Sequence, residues 1–221
     1  MTTIKKNDFV EIKYTGFANG SVFDSNIPED LKKINEKAKV KETIIIIGQG
    51  MVVPGLDKAL EEKEMGKEYE VTLSVKEGFG ERKKDLVKTI PLKIFTEKNV
   101  LPRPGMVLAL DNMIAKIITV SGARVITDFN NPLAGKELKY KFQIVKKVED
   151  EKEKCKIVFE MLFRFVPKFE VGKEVIVKGP KQMEMFINAL KDKFKEIIGK
   201  DIKFELEEKK ENKEEKKQDN K

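Results

Sequence analysis

Apolar and polar positions alternate along several short stretches of the chain. In DFVEIKYTGFANGSVFDS, Val10, Ile12 and Tyr14 fall on one side and Glu11 and Lys13 on the other, the period of a half-buried strand. Asn19-Gly20 is a strong two-residue hairpin signal and turns the chain back through Val22, Phe23 and Asp24. NIPEDLKKINEKAKVKE is a polar excursion with a short helix after Pro28, and the four isoleucines that follow fit a buried strand. Pro54 then suits the first turn of a helix, Leu56, Ala59 and Leu60 give it one apolar face, and Gly66 is placed to close it. The next strand, EYEVTLSV, turns Tyr69, Val71, Leu73 and Val75 inward.

The pattern changes over residues 82–129, which hold short apolar strands such as MVLAL and AKIITV, many turn residues and no long helix. It resumes in NPLAGKELKYKFQIVKKV, where Tyr140, Phe142 and Ile144 share a face, so two halves of one sheet are expected to flank an inserted module. After Asp150, CKIVFEMLFRFVPKFEVGKEVIVKG reads as two strands around Pro167. PKQMEMFINALKDKFKEIIG reads as one amphipathic helix with Met183, Phe186, Ile187, Leu190, Phe194 and Ile197 on its stripe, and DIKFEL reads as a last strand. Ile157, Phe159, Met161 and Phe163 would then lie on one strand face and Val158 and Leu162 on the other. A unit of this size has one helix to cover one face, so self-association through 149–206 is expected, with packing on the rest of the chain as the alternative. The final EEKKENKEEKKQDNK predicts a charged, disordered tail over 207–221.

The stretch IIIIGQGMVVPGLDKAL admits three readings: a membrane segment, a phosphate-cradling loop, or an apolar pocket floor. No apolar run reaches the roughly 18 residues a spanning helix needs. GQGMVVPG has neither dinucleotide-binding nor Walker spacing, and Pro54 removes an N–H that an anion would use. The pocket reading remains, with Val52, Val53 and Leu56 where a strand hands over to a helix.

Composition narrows the chemistry. Of 221 residues, 38% are charged, and the arginines are only Arg82, Arg103, Arg124 and Arg164. There is no histidine or tryptophan, which excludes Ser/His/Asp and Cys/His catalysis and the usual His/Cys zinc sites. No cofactor or metal is expected. The single cysteine, Cys155, opens an apolar stretch without a histidine partner and reads as a structural thiol; with no intrachain disulfide open to it, the cytoplasm is the expected compartment. MTTIKKNDFVEIKY becomes charged before any apolar run, so no leader is expected. The net charge of +7 lies mostly in residues 82–129, at +5, without the aromatic–basic interleaving of a nucleic-acid surface.

VEIKYTGFANGSVFDS, GQGMVVPGLDKALEEKEMGKEYEVTLS, EGFGERKKDLVKTIP and PLAGKELKYKFQIVKK resemble, in that order, the segments of FKBP-type peptidyl-prolyl cis-trans isomerases. The interruption between GFGER and NPLAG is similar to the insert-in-flap, or SlyD-like, class, and the C-terminal unit to that of archaeal long-type members. The resemblance implies an α+β fold: an antiparallel FKBP-like sheet wrapped on a short helix (1–82 and 129–148), an inserted small β-rich domain (83–128) and a C-terminal α+β domain (149–206). It implies a pocket in which Tyr14, Phe23, Asp24, Phe79 and Tyr140 act on the substrate and Val52, Val53, Leu56, Gly78 and Leu133 contact it. Phe79 stands where the family has a tyrosine, and Leu56 where it often has tryptophan. Substrates would be unfolded or partly folded proline-containing polypeptides, with a chaperone role for the insert. A holdase or assembly-binding module with little isomerase activity is the alternative, and ribosome or RNA binding through the basic insert a third.

Overall fold

A computed structural model of the protein describes residues 3–207. Strand β1 (Phe9–Ala18) turns into β2 (Ser21–Ser25) through Asn19 and Gly20 at φ 51° and 77°, the left-handed pair that a tight hairpin requires. Helix α1 (Pro28–Ile34) has Glu29 and Asp30 in its first turn and Lys32 and Lys33 in its last, which complements the helix dipole. Strand β3 (Thr43–Ile46), helix α2 (Pro54–Leu60) and strand β4 (Glu68–Leu73) follow. Helix α2 stops at Leu60 rather than Gly66. Glu62 takes φ 59° and donates its N–H to Ile4 O at 2.9 Å, pulling the chain out of the helix toward the N-terminal segment.

Strand β5 (Val87–Pro91), helix α3 (Leu92–Glu97) and strands β6 (Val107–Leu110), β7 (Met113–Ser121) and β8 (Arg124–Asp128) form a separate antiparallel sheet in the order β5-β8-β7-β6. One face packs Phe95, Leu110, Ala115, Ile117 and Val125 into a small core. The sheet is open, with β5 and β6 as edges, and does not close as a mini-barrel. The chain then returns as β9 (Leu138–Lys147), which lies between β1 and β4. The first sheet thus runs β2-β1-β9-β4, with β3 paired to the other end of β1. Val10, Ile12, Leu73, Leu138, Phe142 and Ile144 face Leu56 and Leu60 of α2 in its core.

The last part departs from the strand reading. CKIVFEMLF lies in helix α4 (Glu151–Phe163), not in a strand. Asp150 caps it by accepting the Glu153 N–H at 2.7 Å, and Cys155, Val158, Phe159 and Leu162 recur at helical spacing on its packed side. Strands β10 (Lys168–Val171) and β11 (Val175–Gly179), helices α5 (Gln182–Ala189) and α6 (Lys191–Ile198) and strand β12 (Ile202–Leu206) complete it, with β12 parallel to β11. The single long helix expected over 180–199 is broken at Leu190, and Phe186, expected on the buried stripe, is 58% exposed.

The two-faced-strand argument for self-association falls with the strand. Helix α4 shares a core with Phe9 of β1 and Ile46 of β3 and with Phe169 and Phe194 farther along the chain, so its apolar side is covered from within the same chain. Cys155 is fully buried there, and burial pushes its thiol up to about 11, as expected of a structural residue. Of the expected disordered tail, all but Glu207 lies outside the described residues. No helix among the described residues is long and apolar enough to cross a membrane.

Candidate active site

The first sheet builds an aromatic cluster around a missing side chain. Asp24 pairs with Gly16 and Val22 with Phe17, so Phe23 is the extra residue of a β-bulge and is turned out of the ladder. A Cβ on Gly16 would lie 2.8 Å from Phe23 Cζ and 2.9 Å from Tyr140 Cε1. Glycine at this position lets both rings close over the strand. Phe23 meets Tyr140 edge-on with centroids 5.8 Å apart and Phe79 edge-on at 6.3 Å, while Tyr14 lies 6.4 Å from Tyr140. Edge-to-face contacts at these distances suit the ring quadrupole.

Hydrogen bonds fix Tyr14 and Asp24. Tyr14 Oη donates to Asp24 Oδ2 at 2.9 Å. The strand beneath is clamped by Asn26, whose Oδ1 accepts the Tyr14 N–H at 2.8 Å and whose Nδ2 donates to Ile12 O at 2.7 Å. Ser25 Oγ adds a bond to Tyr14 O at 2.9 Å. Burial, and then the Asp24 carboxylate, hold the Tyr14 hydroxyl well above the usual phenol range; the same two causes push Tyr140 up to about 12. Both therefore remain neutral phenols at neutral pH.

The pocket edge and floor come from the loop into α2. Val52 and Val53 are half-buried, and Leu56 is 1% exposed beneath them. Asp57, buried in α2, accepts the N–H groups of Gly48 at 2.8 Å and Gly50 at 2.9 Å. The glycine loop thus spends its donors on a carboxylate of its own chain. On the other side, a Cβ at Gly78 would meet Leu138 Cδ1 at 2.8 Å, so glycine brings the Phe79 segment close against β9. Gly135 N–H donates to Gly80 O at 2.8 Å, tying the Leu133 loop to this segment.

The residues expected from the sequence border a single core, and four of them, Tyr14, Phe23, Phe79 and Tyr140, form one ring cluster. Tyr14, Phe23, Val52, Val53, Phe79 and Leu133 pack against a core that contains Leu56 and Tyr140, with Asp24 bonded to Tyr14 and Gly78 against Leu138. Gly16, Asn26 and Asp57 were missed. Gly16 sits two residues from Tyr14 on a strand, where an interior glycine signals a bulge or close approach, and that signal was legible. The partners of Asn26 and Asp57 are set by tertiary contacts and had none.

The site is a cluster of aromatic rings over Gly16, and no metal-binding group of His, Cys, Asp and Glu stands among the described residues. Residues 1–94 match the model of the FKBP-type peptidyl-prolyl cis-trans isomerase family, and residues 88–133 that of the FKBP26 IF domain. A short-type peptidyl-prolyl cis-trans isomerase of Methanocaldococcus jannaschii is 36% identical over 144 residues, 64% of this chain and 92% of that protein. SlyD of Haemophilus influenzae is 34% identical over 102 residues, 44% of this chain and 53% of that one. SlyD of Helicobacter pylori is 25% identical over 150 residues, 66% and 74% respectively. The chain belongs to the FKBP-type peptidyl-prolyl cis-trans isomerases, of the SlyD-like kind.

Proposed function

We propose that Tyr14, Phe23, Phe79 and Tyr140 enclose the proline ring of a polypeptide and that rotation about the preceding peptide bond takes place over Val52, Val53 and Leu56. The observation that carries this reading is the closure of Phe23 and Tyr140 over Gly16. The barrier to be lowered is about 18–20 kcal/mol. Uncatalysed rotation takes roughly tens to hundreds of seconds, so reaching about a millisecond needs on the order of 10⁴-fold, or roughly 5.5 kcal/mol.

No bond to the enzyme is required. Twisting the amide removes its resonance and leaves a less polar carbonyl, so an apolar pocket favours the twisted form over the planar one. This is preferential binding of the transition state. Asp24 positions the Tyr14 hydroxyl as a hydrogen-bond acceptor and has no role as a base. Phe79 offers no hydroxyl to a substrate carbonyl, and Leu133 and Gly78 close the side nearest the insert.

On this reading the chain divides into the isomerase (1–82 and 129–148), the insert (83–128) and the C-terminal unit (149–206), a division supported by a separate sheet in each. The insert holds unfolded clients. Its inner face is packed, but its outer face carries Val107 at 60%, Ile114 at 66% and Ile118 at 44% exposure around Lys116. This is an apolar surface of the kind that marks a polypeptide interaction site, within a segment of net charge +5.

Changing Val107 and Ile114 together to Glu should abolish suppression of client aggregation and leave tetrapeptide isomerisation within about twofold, since exposed positions carry little fold stability. Light scattering of an aggregating client and a tetrapeptide assay check this. Unchanged aggregation suppression would remove the role of this face. A wild-type protein that suppresses aggregation but leaves the tetrapeptide rate at background would favour a holdase instead.

A further inference from the structure

The loop that carries Val52 and Val53 is connected to the C-terminal unit by a chain of side-chain amides. Asn7 lies just before β1 at φ 69° and donates its backbone N–H to Ile47 O at 2.9 Å. Its Nδ2 donates to Glu196 O of α6 at 3.0 Å, and its Oδ1 accepts from Gln49 Nε2 at 2.7 Å. The amide orientation is forced, because the Glu196 carbonyl can only accept. Glu196 lies in the last turn of α6, where carbonyls lack intrahelical partners, so Asn7 caps an otherwise open group. Gln49 sits between Gly48 and Gly50, the two residues that Asp57 anchors, and three positions before Val52. Lys6 reaches Glu196 Oε1 at 3.8 Å, but both side chains are well exposed and the pair adds little.

We infer that Asn7 and Gln49 are positioning residues for the isomerase pocket, and that the C-terminal unit holds the Val52–Val53 edge in place through the Glu196–Asn7–Gln49 relay. The shared core of Phe9 and Ile46 with α4 fixes the C-terminal unit on the sheet. The amide relay then passes that fixed position to the loop. The rings and Leu56 carry the preference for the twisted amide, while the Val52–Val53 edge holds both forms alike, so loosening it weakens binding without slowing the bound reaction. The inference rests on the pocket assignment of Val52 and Val53 made above.

Asn7→Gly is the variant of choice in the full-length chain, because glycine accepts the left-handed φ and only the side chain is lost. Gln49→Ala removes the other half of the relay at a partly buried position. Each should speed hydrogen exchange at the Gly48 and Gly50 amides about fivefold, the effect of one lost hydrogen bond. Each should also raise KM for a proline tetrapeptide about threefold with kcat unchanged, the pattern of lost uniform binding. The double variant should be no worse than Asn7→Gly alone, since residues of one relay are non-additive. Asn7→Asp keeps the acceptor for Gln49 but cannot donate to Glu196 O, and should match Asn7→Gly.

Unchanged exchange in Gln49→Ala, or wild-type behaviour of Asn7→Asp, would overturn the relay while leaving the pocket assignment intact. Faster exchange with unchanged KM would overturn the placement of Val52 and Val53 at the pocket, and the inference with it.

Discussion

Replacing residues 84–128 with a short glycine-containing link will lower proline-limited refolding of a protein client about a hundredfold, the scale of a lost second binding site, and change tetrapeptide turnover only modestly. The cut leaves the pocket whole, since Phe79 and Tyr140 lie outside it. The two ends are already adjacent: Lys83 N–H donates to Asn130 Oδ1 at 2.8 Å and Asn130 Nδ2 to Lys83 O at 3.0 Å. A short link therefore closes the gap without moving either strand. The cut does remove Asp128, the ion-pair partner of Arg82, but Arg82 is about half exposed and water replaces that contact. An unfolded client reaches beyond its proline and can rest on Val107 and Ile114 while the proline enters the pocket. That makes the encounter intramolecular and raises its effective concentration. Both rates are read on the two proteins in one buffer. Equal losses in refolding and tetrapeptide activity would reduce the insert to structural support.

Gly16→Val will lower kcat/KM for a proline tetrapeptide about a hundredfold while the protein remains folded. The new Cβ would sit within 3 Å of both Phe23 and Tyr140, so both rings must withdraw. Displacing positioning groups by about 1 Å can cost on the order of a hundredfold in rate. Overpacking of this kind destabilises by about 1–3 kcal/mol, less than the roughly 5–15 kcal/mol that holds a typical domain. The backbone itself makes no objection, because Gly16 is not in the left-handed region. Thermal denaturation and peptide kinetics on the same preparation check the claim. A folded variant with near wild-type kinetics would show that the rings over Gly16 do not contact substrate.

Much of the first sheet was legible because local signals and the global fold agree. Asn19-Gly20 asks for a tight hairpin and makes one, and Val10, Ile12 and Tyr14 alternate onto the packed face. The pocket residues were legible as an ordered set of motifs, while their meeting depends on β9 returning between β1 and β4 after the long insertion.

The stretch 155–163, CKIVFEMLF, was misread because its apolar residues fit both a period of two and a helical spacing, and a buried helix and a strand then look alike. The deciding features were the Asp150 cap and the spacing of Cys155, Val158, Phe159 and Leu162. Phe9 shares the side of β1 that carries Glu11 and Lys13 and lies outside the isomerase core. What covers it, the apolar side of α4, comes from a contact across more than a hundred residues of chain. The break at Leu190 has no comparable sequence signal, since neither glycine nor proline stands there.

The central claim is that an X–Pro bond rotates among Tyr14, Phe23, Phe79 and Tyr140, with Asp24 holding Tyr14. The most direct measurement is the cis-to-trans rate of a short Xaa-Pro peptide with the full-length protein and its Asp24→Ala variant at equal concentration. Asp24 is exposed, so its loss leaves the fold intact, but Tyr14 Oη loses the acceptor that orients it. Wild type should accelerate the rate in proportion to its concentration, and Asp24→Ala should retain about a tenth of that acceleration, as expected for one charge-assisted hydrogen bond. Acceleration by a folded Asp24→Ala variant equal to that of wild type would contradict the site.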